Sequence, residues 1–371
     1  MRRSLKDNSD KFSVKLLLIR TAILLLLALL IGAVYFLPQL FISSRVADLY
    51  CRNAFPLLAF LPNSFNSLFL FSLTENIVVC GSLILIFLII RKIVILINRL
   101  IKRGFVSFVS DFYKLLKNIL IIALCMLIVF QMMHGINYRR PSIPQVMGLT
   151  RDTHSYEEYA MALSWAYEGM LEARYQLGED YNGVAHMSTS LEEAVYDANA
   201  LMNTISREYD YGMSGNYIRA KGVSLSHYWS YTGITGVYDM FLGEANVNTD
   251  YIDILYFPVT LCHEISHAKG YARESDANTA AVMACIRSSR ADFRYAGYYA
   301  IFVDLYYKTA SYASEEGKAM PISLSDPAFE AVMRDIDASA AYDDSLADNP
   351  FTRFVEIFTG FLMLFLKARR D

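Results

Sequence analysis

The sequence predicts a mainly α-helical protein, with three N-terminal transmembrane helices followed by a larger α+β domain that contains a small sheet. Three observations lead to this prediction. Long uncharged apolar runs are confined to the first third of the 371 residues, apolar residues then recur at helical spacing, and a stretch rich in glycine, serine and tyrosine covers 209–243. We expect a membrane domain over 1–134 and a globular domain over 135–371 that can bury one core.

The three apolar runs approach the length of about 20 residues that a helix needs to cross a bilayer. The predicted spans are 18–37, 69–90 and 116–134, so a lipid bilayer is an expected partner. Basic residues before the first run would also fit a signal peptide, but Leu37-Pro38-Gln39 follows it instead of a small-x-small cleavage site. This favours a retained helix.

Lysine and arginine in the short loops predict the orientation in the membrane. They concentrate before the first span and between the second and third, whereas only Arg45 and Arg52 lie between the first and second. We therefore expect a multi-pass plasma-membrane protein with a cytoplasmic N-terminus and the globular domain on the outer face.

The globular part shows five helical patterns, with serine or proline at helix starts and glycine at one stop. The predicted helices cover 155–177, 190–208, 257–269, 275–287 and 295–313. The apolar tail 351–366 contains Arg353 and Glu356, and is predicted to pack on the domain or lie at the membrane surface, with a fourth span as the alternative. The formal net charge of −3 carries no polyanion-binding signature, so nucleic acid is not an expected partner.

The pattern His263-Glu264-Ile265-Ser266-His267 lies within the predicted helix 257–269. Histidines four residues apart share a helical face, so both imidazoles can reach one zinc ion (Zn²⁺). Glu264 follows the first histidine and can reach a zinc-bound water, whose pKa the metal lowers. The spacing thus predicts a hydrolytic site of the HExxH type with Glu264 as general base.

A catalytic zinc needs a third protein ligand and an open position. Position 273, where a third histidine would stand in one variant of this motif, is Arg273. Glu274, at the start of the next helix, is the favoured third ligand, and Asp276 is its rival. Asn278 lies one turn after Glu274 and is predicted to accept a hydrogen bond from the outer nitrogen of a ligand histidine, expected to be His263.

Several runs resemble the uncharacterised family numbered 3810 among domains of unknown function. The similar residues are Phe71–Glu75, Thr235–Tyr238, Gly243–Asn248, Pro258, His263, Glu264, His267, Gly270, Glu274, Ala277, Asn278, Ala284, Cys285 and Arg294–Tyr298. The resemblance implies a bacterial, zincin-like membrane protein with His263, His267 and Glu274 on zinc and Glu264 as base. It also implies that Glu244, Ala245, Asn246, Val247 and Asn248 form an edge strand beside the substrate cleft, where a peptide could add as a strand.

We expect a membrane-anchored zinc metallopeptidase that acts on peptides or proteins. Two alternatives remain open at this stage. One is a non-catalytic zinc-binding sensor or scaffold, although an intact Glu264 has no purpose there. The other is an intramembrane metalloprotease, which the charged residues Lys269, Arg273 and Glu274 make costly because they follow the motif directly.

Overall fold

The computed structural model describes residues 14–150, 154–347, 349, 350 and 352. Helices dominate these residues, joined by one three-stranded sheet. In chain order the helices are α1 Val14–Phe41, α2 Ser44–Asn53, α3 Phe55–Ser67, α4 Leu73–Arg103, α5 Phe105–Phe130, α6 Ile143–Val146, α7 Tyr156–Tyr175, α8 Leu191–Glu208, α9 Ser226–Ser230, α10 Phe257–Ala268, α11 Glu274–Ile286, α12 Ala291–Glu316 and α13 Glu330–Ala347. The described residues form two compact units, one of 14–43 with 76–139 and one of 44–75 with those from 140 onward.

The first unit consists of α1, most of α4, and α5, which continues through a π-helical turn and a 3₁₀ turn to Arg139. Each of these three helices is long and apolar enough to cross a membrane. The prediction of three apolar helices near the N-terminus is therefore confirmed. The third helix starts earlier than predicted, at Phe105, because a charged but helix-compatible segment precedes its apolar part.

The second unit contains the five helices predicted for the globular part, here α7, α8, α10, α11 and α12. Ser155 and Ser190 begin α7 and α8 with reciprocal side-chain and backbone hydrogen bonds to Glu158 and Glu193. Pro258 occupies the first turn of α10, and Gly270 follows the helix with φ of 106°, a conformation that suits glycine. The predicted tail 351–366 lies outside the described residues apart from Thr352.

The sheet has the order β1-β3-β2, with β1 Lys221–Gly222, β2 Gly236–Asp239 and β3 Glu244–Val247. Strand β3 pairs with β1 in parallel and with β2 in antiparallel orientation. The expectation that Glu244, Ala245, Asn246, Val247 and Asn248 form an edge strand is therefore wrong. β2 pairs with all four residues of β3 and β1 pairs with Asn246 and Val247 on the other side, so β3 is the central strand and the edges of the sheet are β1 and β2.

Two apolar clusters form the core of the second unit. One lies between the sheet and helices α8, α10 and α11, and includes Val247, Leu261 and Ile265. The other lies between α7, α12 and α13 and is rich in aromatic rings, such as Tyr167, Phe302 and Phe329. Helix α10 therefore has packed neighbours on several sides, which holds its histidine face in place.

Residues 44–75 belong to the second unit, although the predicted domain boundary assigned them to the membrane part. The carboxylate of Glu244 accepts hydrogen bonds from the backbone N–H groups of Leu73 and Thr74 and pairs with buried Lys221. In return, Glu75 accepts hydrogen bonds from the N–H groups of Ser224 and Leu225 at 2.8 and 2.6 Å. Charged groups are rarely buried without such partners, so these contacts fix the segment to the sheet.

Candidate metal centre

Helix α10 places His263 and His267 one turn apart, with their Nε2 atoms 3.0 Å from each other. In both rings the other nitrogen, Nδ1, points away from the facing Nε2 atoms. His263 Nδ1 lies 2.7 Å from Asn278 Oδ1, and His267 Nδ1 lies 2.6 Å from the carbonyl oxygen of Tyr271. Because these acceptors call for a proton on each Nδ1, the two Nε2 lone pairs face each other. Such an arrangement is favourable when a cation lies between them.

Glu274 begins α11, and its carboxylate completes the group. Its Oε2 lies 3.1 Å from His263 Nε2, and its Oε1 lies 3.5 Å from His267 Nε2. The rival Asp276 lies elsewhere: it is buried, accepts a hydrogen bond from the Ile143 N–H and pairs with Arg273. The structure thus brings together His263, His267 and Glu274, without Asp276.

The separations of these donor atoms suit a tetrahedral zinc ion. Ligands about 2.0–2.1 Å from a tetrahedral centre lie about 3.3–3.4 Å from one another. The observed separations range from 3.0 to 3.5 Å, with Oε2 of Glu274 facing His263 and Oε1 facing His267. Two imidazoles and a carboxylate are also a donor set that zinc accepts. Within the described ranges, this is the single group of three or more metal-binding side chains whose donor atoms converge. The side chain of Glu274 is 74% exposed, so the centre has an open side toward solvent.

The surroundings of His263 favour its neutral form. Burial lowers the pKa of the imidazole, and the neighbouring His267 lowers it further. A neutral imidazole is the form that ligates metals. The contact with Asn278 is the outer hydrogen bond that the spacing predicted. The role of the Tyr271 carbonyl could not be predicted, because every residue type has a backbone carbonyl.

Glu264 lies on the same helix and is only 6% exposed. Burial, with a further contribution from the Glu274 carboxylate, raises the pKa of Glu264 to about 8. Its Oε2 has no hydrogen-bond partner among the residues that the structure describes. A buried carboxylate oxygen without a partner is costly, so this atom has spare capacity to accept a proton or a hydrogen bond.

Gly236 of β2 packs directly on Glu264. A Cβ atom at this position would come within 2.6 Å of Glu264 Oε1 and 2.7 Å of its Cγ. Only a residue without a side chain leaves room for the carboxylate here. The sequence reasoning did not identify Gly236 as part of the site, although the residue belongs to the Thr235–Tyr238 run.

Strand β2 has one edge without a partner strand in the described part of the chain. Asn248 N donates to Thr235 O at 2.8 Å, which extends the ladder with β3 by one pair. Antiparallel ladders bond through alternate residues, so Thr235, Val237 and Asp239 face β3. The backbone groups of Gly236 therefore point away from β3, on the side of Glu264.

A cavity of about 370 Å³ borders both the start of β2 and the first turns of α10. Thr235 and Thr260 line it on the side of the candidate site. Thr235 lies next to Gly236, and Thr260 lies one turn before Glu264. The remaining lining combines aromatic rings, such as those of Tyr256 and Phe257, with the carboxyl groups of Asp253 and Asp343. Neither lysine nor arginine is among the described lining residues.

Comparison with known proteins supports one assignment. A family model described as "Protein of unknown function (DUF3810)" matches residues 50–371, which is most of the chain. No curated protein and no solved structure matches the sequence.

Proposed function

Since this chain belongs to the DUF3810 family, whose description leaves the function open, we propose from the site alone that it is a membrane-anchored zinc-dependent metallopeptidase. The observation that carries the proposal is the convergence of His263, His267 and Glu274, with the buried carboxylate of Glu264 beside them. The zincin-like nature of the domain is part of this proposal.

When bound, zinc would supply Lewis acidity, lowering the pKa of a water molecule and polarising the substrate carbonyl. His263, His267 and Glu274 would hold the ion, and Asn278 with the Tyr271 carbonyl would keep the imidazoles in the correct tautomer and orientation. Glu264 would accept the proton of the attacking water on its free oxygen, Oε2, and pass it to the leaving amine.

A peptide could align with the unpaired edge of β2. An added strand that pairs with the N–H and C=O groups of Gly236 would bring the scissile bond close to Glu264. The edge proposed for substrate pairing is thus that of β2, because β3 is the central strand.

The neighbouring cavity would then receive a substrate side chain. Its aromatic lining favours a long apolar stem, and the carboxyl groups of Asp253 and Asp343 favour a positive charge at the end of that stem. We expect peptides with lysine or arginine beside the cleaved bond to be better substrates than those with aspartate or glutamate there.

The three apolar helices support a location in the cell membrane. The distribution of basic residues in the loops supports a cytoplasmic N-terminus and a catalytic unit on the outer face. The intramembrane alternative is less favoured, because α10 has 12 residues, about 18 Å, and packs among the sheet and other helices of its unit.

The test uses the full chain, purified in detergent and loaded with zinc. Metal content is measured by elemental analysis, and cleavage is measured on a peptide library. Glu264→Gln should keep one zinc ion per chain and lose about 10²- to 10⁴-fold in kcat, the usual contribution of a general base. Glu274→Ala should lose both zinc and activity.

Two results would contradict the proposal in different ways. A wild-type chain that binds zinc but cleaves no peptide would support the sensor or scaffold alternative. A chain whose zinc content is unaffected by Glu274→Ala would remove the proposed ligand set.

A further inference from the structure

Helix α3 buries two asparagines beside Phe55 and Ala59, and it exposes several large apolar side chains. Asn63 and Asn66 are buried, and Asn66 Nδ2 donates to the carbonyl oxygens of Leu242 and Gly243 at 2.8 and 3.1 Å. On the opposite face, Leu57 is 75% and Leu61 is 72% exposed. A helix on a water-facing surface presents mainly polar and charged side chains to the medium, with its apolar stripe toward the core. The medium outside this helix is therefore expected to be apolar.

The absence of charge extends beyond the helix. Residues 53–74 include no lysine, arginine, aspartate or glutamate, and the nearest charged side chains are Arg52 and Glu75 at the two ends. After α3 the exposed apolar surface continues over Leu68 and Leu70, next to a cluster of phenylalanine rings at Phe65, Phe69 and Phe71. Contiguous apolar surface of this kind marks a contact with a protein or a membrane.

The course of the chain favours a membrane. The segment connects α1, which ends at Phe41, to α4, which begins at Leu73, and both helices are apolar enough to cross a bilayer. Both ends of the segment are thereby tied to lipid-embedded chain. Helix α3 itself has 13 residues, a length of about 20 Å, which is too short to cross.

We propose that residues 55–71 form an interfacial segment that lies in the bilayer surface, with Leu57, Leu61 and Leu68 among the acyl chains. Asn63 and Asn66 stay on the side of the globular unit, where Asn66 bonds the turn between β2 and β3. This is the geometry of an amphipathic helix lying in the interface plane. The proposal depends on the three apolar helices being in a membrane and does not depend on zinc or on peptidase activity.

The test measures the surroundings of a nitroxide spin label at Leu61→Cys in the full chain, reconstituted into phospholipid vesicles. The exposed cysteines Cys80 and Cys125 are first replaced by alanine, and the other three are buried. Collision rates are measured with oxygen, which concentrates in lipid, and with a water-soluble nickel chelate. Ile84→Cys in α4 serves as the lipid reference, and Tyr181→Cys, at a 96% exposed loop residue, serves as the water reference.

The proposal requires a ratio of oxygen to chelate collisions at Leu61 close to that at Ile84 and well above that at Tyr181. A ratio like that of Tyr181 would place the helix in water. Low collision rates with both reagents would place it against a protein surface, such as a second copy. Either result overturns the proposal, and Leu57→Cys on the same face repeats the measurement should Leu61→Cys fail to fold.

Discussion

The two histidine side chains of the candidate centre are positioned by different kinds of contact. Their four-residue spacing is a local property of α10, so the sequence predicts it directly. Their orientation depends on Asn278 in α11 and on the carbonyl of Tyr271 in the connecting turn. The orientation of the metal-facing Nε2 atoms therefore depends on hydrogen bonds that the Nδ1 atoms make with two other parts of the chain.

Removing the Asn278 amide should weaken the metal site without removing a ligand. Outer hydrogen-bond partners of ligand histidines are typically worth about 10- to 100-fold in metal affinity, so Asn278→Ala should raise the Kd for zinc by that factor. Competition with a chromogenic chelator measures the change. Thr279→Ala is the control, because that hydroxyl only donates to the Ser275 carbonyl. Equal losses in both variants would show that the helix, and not the hydrogen bond, is responsible.

A methyl group at Gly236 should displace the carboxylate of Glu264. Gly236→Ala is expected to lower kcat/KM by about 10²-fold, the effect of a misplacement near 1 Å, while zinc content stays unchanged. Gly215→Ala is a matched control, since an added Cβ there has no atom within 4 Å and the backbone is not in a positive-φ conformation. Normal activity of Gly236→Ala would mean that Glu264 can move without consequence.

Most of the candidate site could be predicted from sequence because its residues are close in the chain. His263, Glu264 and His267 share one helix, and Glu274 and Asn278 lie on the next. The contribution of Gly236 comes from a strand far away in sequence. A glycine in a turn-rich stretch has many explanations, so only the packing against Glu264 identifies its role.

At the scale of elements, the sheet differs most from its prediction. Strand β3 was expected at the edge, yet β1 pairs with it in parallel and leaves it central. β1 has only two residues and contains a glycine and a buried lysine, so it shows no alternating apolar pattern. The strand is recognised by its pairing with β3, and the Lys221 ammonium group anchors it by donating to the Glu244 carboxylate and the Asn66 carbonyl.

Helix α13 is held to the rest of its unit by a buried carboxylate. Asp335 accepts two hydrogen bonds from the Arg174 guanidinium, one from the Tyr295 hydroxyl and one from the Ala185 N–H. Asp335→Ala would remove the fully buried partner of Arg174 and leave the guanidinium only the half-exposed Glu179 carboxylate and the Gly183 carbonyl. Removing one partner of a buried ion pair typically costs about 3–5 kcal/mol. The thermal midpoint of the globular unit should fall clearly, while Asp337→Ala, at an exposed position of the same helix, should change it little. Similar midpoints for the two variants would contradict this role.

Helices α2 and α3 were not predicted, and the reason is physical. Sequence patterns for helices assume that apolar residues face a core and polar residues face water. In α3 the buried positions include asparagine and the exposed ones include leucine and phenylalanine. A segment that is apolar on its exposed face and lies between two apolar spans is easily assigned to a membrane loop.

At the scale of the whole molecule, the number of apolar helices was predicted correctly, because length and lack of charge are sufficient to identify them. The assignment of residues to the two units was not predictable in the same way. It depends on buried contacts such as those of Glu75 and Glu244 across more than a hundred residues of chain.

Orientation remains a prediction, and cysteine labelling in intact cells can test it. A membrane-impermeant maleimide should label Tyr181→Cys in the globular unit without permeabilisation. Lys102→Cys, near the end of α4, should be labelled only after the membrane is opened, because the basic loop is expected in the cytoplasm. The reverse pattern would place the globular unit inside the cell.

The discontinuous second unit has a consequence for how this protein can be shortened. A fragment beginning at residue 135 would retain the histidines but lack the stretch that satisfies the Glu244 carboxylate and covers one side of the sheet. The Lys221–Glu244 pair would then be exposed to solvent, or fragments would aggregate through this surface. We expect such a fragment to be recovered mainly in insoluble form. Joining residues 44–75 to residue 140 through a flexible linker should restore solubility only in part. The exposed leucines of α3 would still lack the lipid that we propose surrounds them.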